Sequence, residues 1–101
     1  MVKHVVMWNF KPEVKPEDKE RLKRDMKKNL SELKGKVEGL LSVSFIETPA
    51  EGSTHEIALV TEHESEAYVK LYGNHPEHVK VADKYVRPYT CDRACLNYRE
   101  A

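Results

Sequence analysis

Residues 2–10, VKHVVMWNF, are apolar on both sides of any strand they form. β-Branched and aromatic residues favour the extended chain, and successive side chains in a strand point to opposite faces. Val2, His4, Val6, Trp8 and Phe10 then share one face, with Val5 and Met7 on the other. The pattern recurs in THEIALVTE (54–62), where Ile57 and Leu59 oppose Ala58 and Val60. It recurs again in CDRACLNY (91–98), where Ala94 and Leu96 oppose Cys95. An antiparallel sheet with one solvated face alternates apolar with polar residues. A sheet built from these strands therefore needs cover on both sides.

The segments between the strands supply cover for one side. Pro16 suits the first turn of a helix, with Glu17 and Asp18 at its positive end. Leu22, Met26, Leu30 and Leu33 follow at helical spacing, and Gly35 suits the stop. LLSVSFIE (40–47) reads as a second strand, TPAEGS as a turn, and 54–62 as the third strand, starting at His55. Ser65 suits the cap of a short helix with Tyr68, Leu71 and Tyr72 on one face, ending at Gly73. Pro76 opens another helix that runs to about Arg87, and 91–98 is the last strand. The order β-α-β-β-α-β predicts an α+β, ferredoxin-like antiparallel sheet with its helices on one face. The uncovered face predicts a homodimer with two sheets packed together.

The 101 residues suit a single domain over 1–101. Seventeen basic and seventeen acidic residues balance, which leaves no electrostatic footprint for nucleic acid. No apolar run approaches the ~20 residues of a membrane span, so no membrane partner is expected. MVKHVVMWNF lacks a signal-peptide pattern, and the expected location is cytoplasmic. Cys91 and Cys95 in one strand would sit roughly 13 Å apart at ~3.3 Å per residue. That is too far for a disulfide, and two free thiols are expected.

The segment YGNHPEHVKVADKYV (72–86) carries the candidate chemistry. With Pro76 as first helical residue, His75 is the N-cap. His78 then heads the stripe His78, Val81, Ala82, Tyr85, at the mouth of the core. Partial burial and a helix N-terminus both disfavour imidazolium, and a neutral imidazole suits a general base. Tyr72 can approach the same mouth. His4 shares a face with Trp8, and His55 with Ile57 and Leu59. These residues, with Phe10, describe a bowl of the kind that holds a small apolar or carbonyl-rich molecule. Each also has a structural reading: His75 as a cap, His4 as a core histidine, His55 as a hairpin residue, Tyr72 as packing. His75 and His78 lack an obvious third metal ligand, and no metal is expected.

The stretches VKHVVMW, YGNHPEHVKVADKYVRP and DRACLNY, in this order, resemble the stress-responsive A/B-barrel (Dabb) family. The resemblance implies a dimeric α+β barrel in which two ferredoxin-like sheets face each other. It also implies, by likeness to a plant polyketide cyclase of the family, a cofactor-free reaction. In that reaction His78 is base and Tyr72 acid, with His4 and His55 lining the pocket. Related ferredoxin-like dimers include cofactor-free monooxygenases. Three readings stay open: an acid–base enzyme, a small-molecule binder without chemistry, and a helix start that only docks on a partner subunit.

Overall fold

The computed structural model describes residues 1–100. Four strands, β1 (Val2–Phe10), β2 (Leu40–Ile46), β3 (Ile57–His63) and β4 (Thr90–Arg99), form one sheet in the order β2-β3-β1-β4. Every neighbouring pair is antiparallel. Helix α1 (Pro16–Ser31), continued by a 3₁₀ turn (Glu32–Gly35), links β1 to β2. Helices α2 (Glu66–Asn74) and α3 (Pro76–Val81) link β3 to β4. This is the ferredoxin-like α+β arrangement that the element order predicts.

The core lies between sheet and helices. Leu22, Met26, Leu30 and Leu33, the seam of α1, are all buried against Val6, Trp8, Phe10 and Leu59. Each such side chain stabilises the fold by about 2 kcal/mol relative to leaving it in water. The far face carries Val5, Met7, Ala58, Val60, Ala94 and Leu96, which meet as cross-strand pairs: Val5 opposes both Val60 and Leu96, and Met7 both Ala58 and Ala94. Leu96 is 62% exposed on that face.

Five expectations need correction. β3 begins at Ile57, two residues after His55. Its ladder with β1 ends at Trp8–Ile57; beyond it Glu56 N–H still donates to Trp8 O at 3.2 Å, and side chains join the next backbone groups. Glu56 N–H donates to Asn9 Oδ1 at 3.0 Å, and Phe10 N–H donates to the Glu56 carboxylate at 3.1 Å. Ser65 precedes α2 without a side-chain capping bond, and α2 runs one residue past Gly73. Leu71 points out, 55% exposed, because Tyr72 and Val69 take the inner stripe. The last helix, α3, gives way to a π-helical turn (Ala82–Val86), closed by Arg87 N–H donating to Ala82 O at 2.8 Å. Such wide turns are rare and cluster at functional sites.

β4 contains a bulge. Met7 pairs with Ala94 but Asn9 pairs with Cys91, so Asp92 and Arg93 both oppose Trp8. Asp92 takes a left-handed φ of 53°, a conformation that aspartate tolerates better than most residues. Asn9 Nδ2 donates to its carboxylate at 3.3 Å, and His55 Nε2–H donates to its carbonyl at 3.0 Å.

Candidate functional site

A cavity of about 150 Å³ opens between β1, β3 and β4 on one side and α2, α3 and the π turn on the other. Its walls are mainly apolar: Val6, Trp8, Leu30, Leu59, Val69, Ala82 and Val86. Its polar groups are His4, Tyr72, His78, Arg87 and Arg93. The π turn contributes Ala82 and Val86 to this lining, and Arg87 follows it.

Five of the residues singled out from the sequence meet at this cavity: His4, Trp8, Leu59, Tyr72 and His78. Three do not. Ile57 is a core residue, 1% exposed, outside the cavity wall. His75 caps α3, its Nδ1 accepting from Glu77 N–H at 3.1 Å. His55 lies in the loop before β3, with Nδ1 bonded to Thr54 Oγ1 at 2.9 Å and Nε2 to the bulge. Phe10 likewise belongs to the core and not to the cavity wall.

His78 and Tyr72 stack obliquely, ring centroids 4.3 Å apart. The helix break Gly73–Pro76 explains the approach. It frees the Gly73 carbonyl, and His78 Nδ1–H donates to that oxygen at 3.2 Å. The proton therefore sits on Nδ1, and Nε2 keeps its lone pair. Burial, with the nearby Arg87, His4 and Arg93 charges, holds the His78 imidazolium below the ordinary histidine range, against the bond to Gly73. The ring is neutral at pH 7. Tyr72 is 2% exposed and its hydroxyl has no hydrogen-bond partner among the described residues. Burial pushes its phenol well above the usual range, so it is a donor and not a phenolate.

His4 stands across the cavity. Its Nδ1 bonds Asn97 Oδ1 at 2.5 Å on β4. Burial lowers its pKa, opposed by that bond.

The sequence reading missed two residues. His63 is fully buried behind the cavity, its ring 5.1 Å from Tyr72 and 6.2 Å from His4. Thr61 Oγ1–H points toward the His4 carbonyl at 3.4 Å, so His63 Nε2–H donates to Thr61 Oγ1 at 2.8 Å and Nδ1 is left unpaired. Burial and the neighbouring His4 lower the His63 pKa to about 4. The available signal was the period of two running Ile57, Leu59, Thr61, His63 on one face. The second is Arg93, which the alternation of β4 sets on the face opposite Ala94 and Leu96. No group of three or more histidine, cysteine, aspartate or glutamate side chains among the described residues is placed to hold a metal ion. No helix among the described residues is long and apolar enough to cross a membrane.

The model of the stress responsive A/B barrel domain matches residues 2–100. A dimeric protein of unknown function with a ferredoxin-like fold, from Bacteroides fragilis, superimposes with a TM-score of 0.87 at 29% identity, over 98% of this chain and 95% of that one. An Arabidopsis thaliana protein gives 0.77 at 24% identity, over 100% and 96%. The hydroxynitrile lyase from Passiflora edulis gives 0.70 at 15% identity, over 96% and 90%. These last two likenesses establish the fold alone. No curated protein matches the chain.

Proposed function

The chain belongs to the stress responsive A/B barrel domain family, and from that premise we propose that it works as a homodimer that binds a small molecule in the cavity beside Tyr72. The ligand has an apolar body and a carbonyl or hydroxyl group. The observation that carries this reading is the Tyr72 hydroxyl, buried at the cavity wall with no partner among the described residues. Buried hydroxyls are normally paired, and leaving one unpaired costs about 1–3 kcal/mol. A ligand oxygen would remove that cost. The dimer reading rests on the apolar far face of the sheet and on the Bacteroides fragilis relative, described as dimeric.

A second reading is favoured by the His78 tautomer. With Nδ1–H committed to Gly73 O, Nε2 is the atom free to take a proton. The corresponding step removes a proton from a carbon next to a carbonyl. The C–H pair moves into the carbonyl as an enolate, the proton goes to Nε2, and Tyr72 O–H donates to the developing oxygen. This is cofactor-free cyclase-like chemistry, and the same fold carries a lyase in Passiflora edulis.

Native mass spectrometry of the full chain, followed by NMR titration with whatever co-purifies, separates the readings. The binder reading expects a dimer carrying a small molecule that shifts the His78 and Tyr72 ring signals. A ligand that leaves those rings undisturbed would refute it. Turnover that survives His78→Ala would remove the acid–base step and leave binding intact.

A further inference from the structure

The cavity lining contains two guanidinium groups and no carboxylate. Arg87 is already committed: its Nη1 lies 2.5 Å from Asp83 Oδ1. Arg93 makes no ion pair and no side-chain hydrogen bond among the described residues. It is exposed and lines the cavity together with the imidazoles of His4 and His78.

Relative to Thr90 and Cys91, the bulge sets its face. Counting back from Thr90 opposite Phe10, an unbroken ladder would set Asp92 opposite Trp8 and Arg93 opposite Met7. Cross-strand partners point to the same face, so Arg93 would lie on the far side of the sheet. The extra residue returns it to the face of Trp8 and the cavity. The bulge is braced from two directions, by Asn9 on the Asp92 carboxylate and by His55 on the Asp92 carbonyl. It also holds a non-glycine residue at a φ of 53°. Bulges beside sites commonly re-aim a side chain.

We propose that Arg93 is the anion-recognising residue of this site, and that the ligand is a small carboxylic acid. Its body is about the size of one six-membered ring, because a cavity of about 150 Å³ accommodates a benzene-sized group. Its carboxylate meets the planar fork of Arg93, which suits two parallel bonds. Its apolar body lies against Trp8, Leu59 and Val86. This proposal rests on the cavity reading above and adds the charge and size of the occupant.

Benzoate and benzamide serve as probes, since they share shape and differ in charge. Each is titrated calorimetrically, and by NMR at the His4 and His78 rings, into the full chain and into Arg93→Gln and Arg93→Lys. Arg93 is exposed, so these variants keep the core intact. The expected result is benzoate binding at least about tenfold tighter than benzamide, the scale of one charge-assisted bond. That preference is lost in Arg93→Gln and partly kept in Arg93→Lys. Equal binding of the two probes, or a benzoate preference that survives Arg93→Gln, overturns the role of Arg93 while leaving the cavity as a ligand site. Binding of neither probe overturns the proposal and the cavity reading together.

Discussion

Tyr72 and His63 meet edge to face, ring centroids 5.1 Å apart, and each buries a polar atom with no partner among the described residues: the tyrosine hydroxyl and the histidine Nδ1. Two unpaired polar atoms side by side in one core are unusual. One lies at the cavity and one behind it. They make this region less stable than an apolar packing would be, and they give the following consequences.

His63 should govern acid stability. Its ring is neutral in the folded and unfolded chain above about 6.5. Below that the unfolded chain takes up a proton that the folded chain refuses until about 4, so stability falls as pH falls through this window. The loss is on the order of 3 kcal/mol from this residue. Urea unfolding of the wild type and His63→Phe between pH 7 and 4 checks it. The variant should show a clearly shallower slope, with a remainder from His4 and His78, and an unchanged slope would contradict the assignment.

Tyr72→Phe should keep the fold and raise stability by about 1 kcal/mol, since it removes a buried hydroxyl that nothing satisfies. It should also weaken benzamide binding by about tenfold, because the carbonyl loses its donor. Denaturation midpoints and calorimetry read the two effects separately. A stability loss above 1 kcal/mol would mean that the hydroxyl has a protein partner.

His78 should titrate below 6.5 and, when neutral, carry its proton on Nδ1. Long-range ¹⁵N NMR distinguishes the tautomers directly. Any activity or binding that uses the Nε2 lone pair is full at pH 7 and fades only in the acid range, as the ring protonates. A midpoint above 6.5, or a proton on Nε2, would remove the base from the proposed step.

Gly39→Ala should be severe. Gly39 has a φ of 81°, and a Cβ there would overlap the ring of Tyr68. Strain and overlap together should cost at least about 3 kcal/mol. Gly52→Ala, at a φ of 91° with open space around it, should cost only about 1 kcal/mol. Thermal unfolding of the two variants compares backbone strain with and without a steric neighbour.

Leu96→Lys should produce monomers. Leu96 is 62% exposed on the apolar far face, beside Val5, and burying an unpaired ammonium between two sheets is unfavourable. Sedimentation at micromolar concentration should show about twice 11.7 kDa for the wild type and half of that for the variant. A wild-type particle of 11.7 kDa would exclude the homodimer.

The sequence by itself determined the element order, the one-sided helical cover and the identity of the far face. These follow from local periodicities: two along the strands, 3.6 along α1, with prolines at the starts of α1 and α3. It also brought His78, Tyr72, His4, Trp8 and Leu59 forward, because each sits on an inward-facing repeat. What it could not determine was anything set by a break in a period. The β4 bulge puts Thr90 and Cys91 out of phase with Ala94 and Leu96, a π turn follows α3 over Ala82–Val86, and β3 begins at Ile57 with the Asn9 and Glu56 side chains bonded to the backbone just beyond it. The bulge and the start of β3 are held by groups distant in the chain: Asn9 and His55 on Asp92, and Asn9 and Glu56 across β1 and β3. Only the tertiary structure brings these groups together.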